Sequence, residues 1–205
     1  MLIYYFNGQK NNIASVEKIS EKLLRRALAD YAVRRGISLG EKDAERLTLV
    51  REEGEKPYFP DLPQVHFSVS HSFHFWACAM DGSPVGFDLE VPGLRWGEDA
   101  ASRKEKLARR FFTAAENCYL ENHPEAFFDL WVRKEAWLKL SGKGISGGLS
   151  SVDLVEDGRL LVFSDGVSFA GVDFDPEVRA ACCSAKEIVI DEVLPLDFSE
   201  VADHE

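Results

Sequence analysis

The N-terminal half shows apolar patterns of both strands and a helix. Leu2–Phe6 is a short apolar run that ends at a turn sequence, which is typical of a strand. Over residues 16–35 the apolar positions recur with helical spacing, and Gly36 follows where a helix-terminating glycine belongs. The pattern then predicts a strand over residues 46–50 and three strands within residues 65–90, the first of them ending near Ser70-His71-Ser72.

The C-terminal half begins with helical patterns and continues with strands. Residues 98–121 predict one or two helices, and Thr113 followed by Glu116 is a capping box that starts the second. A strong helix is expected over residues 124–141, with Pro124 in its first turn and Gly142 after its end. Apolar runs predict three further strands, at residues 160–163, 169–174 and 178–183, and the last residues are acidic and predict a loose tail.

Charge and composition exclude several classes of protein. The 205 residues carry 24 Lys and Arg against 35 Asp and Glu, so the net charge is −11, the opposite of what a general nucleic-acid binder needs. An anionic ligand must therefore be held by a local basic cluster or by a cation. No apolar stretch is long enough to predict a membrane span. The first residues lack signal-peptide features and the cysteines lack CxxC spacing, so we expect a reduced, cytoplasmic protein.

Two carboxylates alternate with apolar residues on one predicted strand. Asp88 and Glu90 are two positions apart, so their side chains point to the same face. Paired carboxylates suit a hard cation such as Mg²⁺, above all where a phosphate supplies further ligands. The alternative interpretation is the polar face of a half-solvated strand.

A carboxylate and a lysine share the apolar face of a predicted helix. Glu135 and Lys139 are spaced i, i+4, and Phe128, Trp131 and Val132 lie on the same face. Such pairs usually decorate a surface, but on an apolar face both charges need partners, which a metal and a phosphate would provide.

Two further polar positions are ambiguous when taken alone. Lys143 stands between glycines, where its amine is either a phosphate ligand or an exposed group after a helix end. His71, at the end of a predicted strand, is either a phosphate ligand or a partner of the neighbouring backbone.

The order of these segments resembles the 4′-phosphopantetheinyl transferases of the surfactin-synthetase-activating type. The matching segments span residues 54–146, and the Trp-x-x-Lys-Glu-Ala-x-x-Lys motif is the most specific of them. In chain order they read GEKPYFPDLP, HFSVSHS, VGFDLE, RFFTAAE and WVRKEAWLKLSGKGIS. Glu55, inserted before Lys56, departs from the family pattern. The resemblance implies an α+β fold of two similar α/β lobes with pseudo-twofold symmetry, at residues 1–90 and 91–190, followed by an acidic tail at 191–205.

The resemblance also implies a reaction. Such enzymes move 4′-phosphopantetheine from coenzyme A to a serine of an apo carrier protein and release adenosine 3′,5′-bisphosphate. The implied Mg²⁺ ligands, with Mn²⁺ as a substitute, are Asp88, Glu90 and Glu135. Glu135 would also deprotonate the carrier serine, directly or through water, and Lys139 would stabilise the leaving oxygen. The residues implied to bind coenzyme A are Lys56, Ser70, His71, Lys139 and Arg25. The resemblance leaves two roles open for Glu116, orienting metal-bound water or supporting the structure, and assigns none to Lys143.

Two other functions share these features. A Mg²⁺-dependent coenzyme A pyrophosphatase would use the same carboxylates with water as the nucleophile, and a non-catalytic module would only bind coenzyme A or carrier proteins. We expect a monomer that contacts an acyl, polyketide or peptidyl carrier mainly through apolar residues, with Phe73, Phe75, Phe111 and Phe112 as candidates. Neither a nucleic acid nor a membrane is expected as a partner.

Overall fold

A computed structural model describes residues 1–52, 54–95, 100–142 and 148–197. Its helices are α1 Ser20–Arg34, α2 Glu41–Arg46, α3 Pro92–Arg95, α4 Ala100–Phe111, α5 Ala114–Asn122 and α6 Phe127–Ser141. Its strands are β1 Leu2–Asn7, β2 His66–Ser72, β3 Phe75–Asp81, β4 Val85–Glu90, β5 Val155–Glu156, β6 Arg159–Leu160, β7 Phe163–Ser164, β8 Val167–Gly171, β9 Arg179–Ser184 and β10 Glu192–Pro195. The fold is therefore α+β, as the sequence predicts.

Eight of the ten strands that the structure describes form two four-stranded sheets. The first has the order β10-β1-β3-β2 and the second β4-β9-β8-β7, while β5 and β6 pair separately. Neighbouring strands are antiparallel except β10, which runs parallel to β1. Helix α1 packs on the outer face of the first sheet and α6 on the outer face of the second.

Alternation along the strands assigns side chains to the layers between these elements. On β3, Trp76, Cys78 and Met80 share a core with α1, whereas Ala77 and Ala79 face the second sheet. Phe87 and Leu89 of β4 belong to this central core between the sheets. Cys183 and Phe169 of the second sheet pack instead with Leu130 and Ala136 of α6. The molecule thus has the layer order helix, sheet, sheet, helix.

Helix α6 approaches the second sheet very closely at one glycine. A Cβ added to Gly86 of β4 would lie 1.9 Å from the carbonyl oxygen of Ala136. Only glycine permits this approach, because any side chain would overlap the helix backbone. Gly86 therefore brings the middle of α6 against the strand that carries Asp88 and Glu90.

Several elements follow the sequence pattern closely. The capping box at the start of α5 is present, with Thr113 Oγ1 accepting from Glu116 N at 3.2 Å and the Glu116 carboxylate accepting from Thr113 N at 2.8 Å. Gly142 ends α6 with a φ of 71°. Of the helices that the structure describes, none combines the length and the apolar character needed to span a bilayer.

Other predictions of local structure are wrong. Residues 46–50 are not a strand, since α2 ends at Arg46 and only Val50 forms an isolated bridge, to Tyr58. By contrast, the predicted strand end near Ser70-His71-Ser72 is confirmed, since β2 ends at Ser72 and β3 begins at Phe75. The predicted acidic tail begins too early, since residues 192–195 form β10 and pair with β1; residues 198–205 lie outside the described residues.

Candidate active site

A cavity of about 410 Å³ lies where β2, the C-terminal half of α6, Arg51 and residues 55–57 meet. The sequence-predicted side chains among its lining residues are Lys56, His71, Glu135 and Lys139. They come from three separated stretches of the chain, and the fold brings them together. The cavity is therefore the main candidate for an active site among the described residues.

The two strand carboxylates lie beside this cavity on β4. Asp88 is 6% exposed and Glu90 is 4% exposed, so the prediction of a half-solvated strand face is wrong. Asp88 Oδ1 accepts a hydrogen bond from Ser70 Oγ at 2.7 Å, and Glu90 Oε2 accepts one from Ser72 Oγ at 3.0 Å. Buried carboxylates require such partners because burial removes their hydration.

Lys139 connects the cavity to the strand carboxylates. Its Nζ lies 2.7 Å from Asp88 Oδ1 and donates to Val69 O at 3.2 Å. Glu135 precedes Lys139 by one helical turn on α6 and lines the same cavity. The helix thus presents a carboxylate and an ammonium group toward the same space.

Lys56 provides a second amine in the cavity. Its Nζ donates to the carbonyl oxygen of Val85 at 2.5 Å. Burial lowers the pKa of Lys56 from 10.5 to about 8, because a desolvated ammonium ion is disfavoured. Nearby Lys139 lowers this pKa further through charge repulsion. An anionic ligand would stabilise the charged form of this amine.

Ser70 and Arg25 do not line the cavity with the other predicted coenzyme A ligands. Ser70 is directed to Asp88, as described above. The Arg25 guanidinium donates to the carbonyl oxygens of Ala44 at 2.8 Å and Leu47 at 2.9 Å and pairs with Glu21. Arg25 therefore connects α1 to α2 and the segment after it.

Arg51 lines the cavity instead and was not predicted from the sequence. The sequence signal that could have identified Arg51 is its position, since it is a basic residue five positions before Lys56 in the segment that leads into the same loop. Arg51 Nη2 lies 3.5 Å from Glu21 Oε2, so the carboxylate of Glu21 contacts both arginines.

The contacts of Glu116 are those of a buried residue that supports the fold. Glu116 and Lys134 are both 0% exposed, and Lys134 Nζ lies 2.7 Å from Glu116 Oε2. The same amine donates to Leu149 O and Val152 O, each at 2.7 Å, while Glu116 Oε1 accepts from Leu154 N at 2.9 Å. Burial lowers the pKa of Lys134, and the Glu116 carboxylate opposes this change. These contacts tie α5 and α6 to residues 149–154.

The other residues singled out in the sequence are Lys143 and four phenylalanines. Lys143 lies outside the described residues. Phe75 and Phe112 are core residues, Phe111 is half-buried, and Phe73 is 50% exposed. Only Phe73 among these four phenylalanines therefore presents a largely open ring.

The chemistry of the carboxylates fits a hard cation, although the structure does not assemble them into a metal site. Within the described residues, no group of three or more His, Cys, Asp and Glu side chains has metal-binding geometry. Asp88, Glu90 and Glu135 offer only carboxylate oxygens, the donors that Mg²⁺ and Mn²⁺ prefer. Asp88 is paired with Lys139 in the structure.

Comparison with known proteins identifies the family. The profile described as "4'-phosphopantetheinyl transferase superfamily" matches residues 84–188, from the start of β4 to beyond β9. The chain belongs to this superfamily. The family predicted from the motifs is therefore confirmed.

Individual members of the superfamily give the extent of the similarity. Over 189 residues the chain is 30% identical to the 4′-phosphopantetheinyl transferase Sfp of Bacillus subtilis strain 168, covering 86% of this chain and 81% of the relative. A second relative from Bacillus subtilis, named 4′-phosphopantetheinyl transferase, is 37% identical over 66% of the chain and 62% of its own length. A transferase of Bacillus pumilus is 36% identical over 73% of the chain. The match to the Bacillus pumilus protein covers 65% of the length of that protein. The chain therefore spans less than two thirds of the length of two of these three relatives.

Proposed function

We propose that the protein is a 4′-phosphopantetheinyl transferase that moves phosphopantetheine from coenzyme A to a serine of an apo carrier protein. The observation that carries this proposal is the convergence of Lys56, His71, Glu135 and Lys139 on one cavity beside Asp88. Membership of the superfamily supports the same reaction. One cavity thus contains cationic groups that can bind a pyrophosphate and a carboxylate that can accept a proton.

The reaction is a phosphoryl-type transfer, which depends on positioning and charge neutralisation. The serine oxygen forms a bond to the phosphorus next to the pantetheine, and the bond from this phosphorus to the adenosine 3′,5′-bisphosphate oxygen breaks. Glu135 accepts the serine proton, directly or through water. Lys139 stabilises the negative charge that develops on the leaving oxygen.

A divalent cation belongs to the proposal. Asp88, Glu90 and Glu135 would hold Mg²⁺ or Mn²⁺, and their carboxylate oxygens support this choice. The bound cation would neutralise charge on the pyrophosphate of coenzyme A.

Lys56 and His71 hold phosphate groups of coenzyme A in this proposal. Arg51 replaces Arg25 as the guanidinium available to the ligand, since it lines the cavity. These basic groups offset the repulsion that anionic coenzyme A would meet from a protein with a net charge of −11.

The carrier protein would dock beside the ends of β2 and β4. Phe73 follows Ser72 directly and is exposed, which supports an apolar contact.

The two-lobe arrangement is also part of the proposal. In the first half of the chain β1, α1, β2 and β3 occur in this order, with other elements between some of them, and β3 lies between β1 and β2 in the sheet. In the second sheet, β4, α6, β8 and β9 occur in the same way and β9 lies between β4 and β8. This shared connectivity supports the two lobes of the proposal, with their boundary between β3 and β4 rather than at residue 90, and with β10 joining the first sheet. A monomeric state and a cytoplasmic location complete the proposal.

Intact mass spectrometry of an apo carrier protein tests the reaction. The carrier is incubated with the protein, coenzyme A and Mg²⁺, and a matched sample contains a chelator. A gain of one phosphopantetheine only in the sample with metal is the expected result. Cleavage of coenzyme A with an unmodified carrier would instead identify a pyrophosphatase. Coenzyme A binding without any reaction, across acyl, polyketide and peptidyl carriers, would identify a binding module.

A further inference from the structure

Three serines of β2 connect the first sheet to β4. Ser68, Ser70 and Ser72 are buried and occupy alternate positions, so they share one face of the strand. Ser68 Oγ accepts from Phe87 N at 3.0 Å and donates to Phe87 O at 3.4 Å. Ser70 and Ser72 continue the series with Asp88 and Glu90. The residue numbers of the bonded partners increase along both strands, so β2 and β4 run in the same direction.

Along β2 the three serines change from a backbone partner to side-chain partners. Ser68 bonds to backbone atoms, which is sufficient to join the two strands. Ser70 and Ser72 bond to side-chain oxygens, one on each of the two carboxylates. A purely structural junction would not require this matched pair of hydroxyl and carboxylate groups.

We infer that Ser70 and Ser72 are positioning residues, which orient Asp88 and Glu90 to hold a divalent cation. This inference rests on the proposed function. It also assigns Ser70 a different role from coenzyme A binding, which the family resemblance implies for it.

The hydrogen bonds fix which oxygen of each carboxylate is engaged. Among the described residues, Ser70 and Lys139 both donate to Oδ1 of Asp88. This arrangement directs Oδ2 away from these donors. Ser72 binds Oε2 of Glu90 and restrains a side chain that otherwise has several rotamers. Partners of metal-binding groups act in this way, by fixing their orientation before the metal arrives.

Manganese binding to the free protein tests the inference without any turnover. Mn²⁺ alone is titrated into the full chain and into three variants, Ser68→Ala, Ser70→Ala and Ser72→Ala, and free Mn²⁺ is followed by its electron paramagnetic resonance signal. Ser68→Ala is the matched control, because it removes a buried hydroxyl of the same strand face that does not contact a carboxylate. Urea unfolding of each variant measures the structural cost.

We expect Ser70→Ala and Ser72→Ala to weaken Mn²⁺ binding about tenfold or more, as loss of such partners does elsewhere. Ser68→Ala should retain the affinity of the wild-type protein while losing stability like the other two. Unchanged affinity in both test variants would overturn the inference, and so would an equal loss in Ser68→Ala. If the wild-type protein binds no Mn²⁺ but still modifies the carrier, the inference fails and the proposed transfer stands. If it binds Mn²⁺ but does not modify the carrier, the transfer fails and the affinities still decide the roles of the serines.

Discussion

Lys139 Nζ and Asp88 Oδ1 are 2.7 Å apart, which links the helix that carries Glu135 to the strand that carries Glu90. The contact places a cation on a carboxylate that is almost fully buried. In the proposed function Lys139 stays on Oδ1 of Asp88, and a divalent cation would use the other carboxylate oxygen. The same amine lines the cavity, where the proposal gives it a phosphate group to bind.

Lys139→Ala is expected to lower turnover about 10²- to 10³-fold, since it removes a charge directed at the developing negative charge. Steady-state transfer of phosphopantetheine to a carrier provides the measurement. Lys22→Ala is the matched control, because Lys22 is an exposed lysine of α1 that does not line the cavity. A change confined to the Michaelis constant for coenzyme A would limit Lys139 to ground-state binding.

Glu135→Gln is expected to lower turnover about 10²- to 10⁴-fold, because the amide cannot accept the serine proton. The substitution keeps the size of the side chain, so urea unfolding should give an almost unchanged midpoint. Single-turnover transfer followed by mass spectrometry measures the chemical step. Near-normal turnover would remove Glu135 from the roles of base and metal ligand.

Coenzyme A affinity should fall as the pH rises through about 8, the value to which burial lowers the pKa of Lys56. The amine carries its charge below that pH and loses it above, whereas the phosphates are already ionised at pH 7. Since bound phosphate keeps the amine charged, the affinity follows the charged fraction of the free protein and drops about tenfold from pH 7 to 9.

Calorimetric titration of coenzyme A at several pH values measures this dependence. Lys56→Arg is the matched variant, because a guanidinium stays charged throughout this range. Its affinity should change little between pH 7 and 9. An equal drop in this variant would show that another group is responsible.

Gly86→Ala is expected to destabilise the fold by about 1–3 kcal/mol, because the added methyl group would overlap the carbonyl of Ala136 and displace α6. Turnover should fall as well, since Glu135 and Lys139 would move with the helix. Gly82→Ala is the control, as its Cβ meets nothing within 4 Å. Urea unfolding compares the two variants, and equal stabilities would contradict the close packing at Gly86.

Glu116→Gln should lower the free energy of unfolding by about 3–5 kcal/mol, because it leaves the buried Lys134 ammonium without its counter-charge. Combining it with Lys134→Met removes the uncompensated charge. The double variant should therefore be more stable than the sum of the single changes predicts, and a double-mutant cycle in urea measures the coupling. Strict additivity would argue against a buried ion pair.

The sequence predicts those features that depend on local spacing. The convergence of Asp88 and Glu90 follows from the strand period, and the roles of Thr113 and Gly142 follow from helix-end chemistry. Features that depend on distant partners were not predictable. Arg25 is engaged by carbonyl groups of a segment whose helix the pattern did not indicate. Lys134 stands beside Glu135 in one motif, yet only the packing of α6 shows that its amine is buried with Glu116.

The pairing of β1 with β10 sets the order in which the first sheet is completed. Residues 2–5 pair with residues 192–195, whereas β1 and β3 already pair within the first 81 residues. During synthesis, one edge of β1 therefore stays open until residues 192–195 have been made. An open edge offers unpaired backbone groups to other chains, and contacts of such long sequence separation form late in folding. The late pairing of β10 therefore covers the strand edge that is exposed longest while the chain is being made.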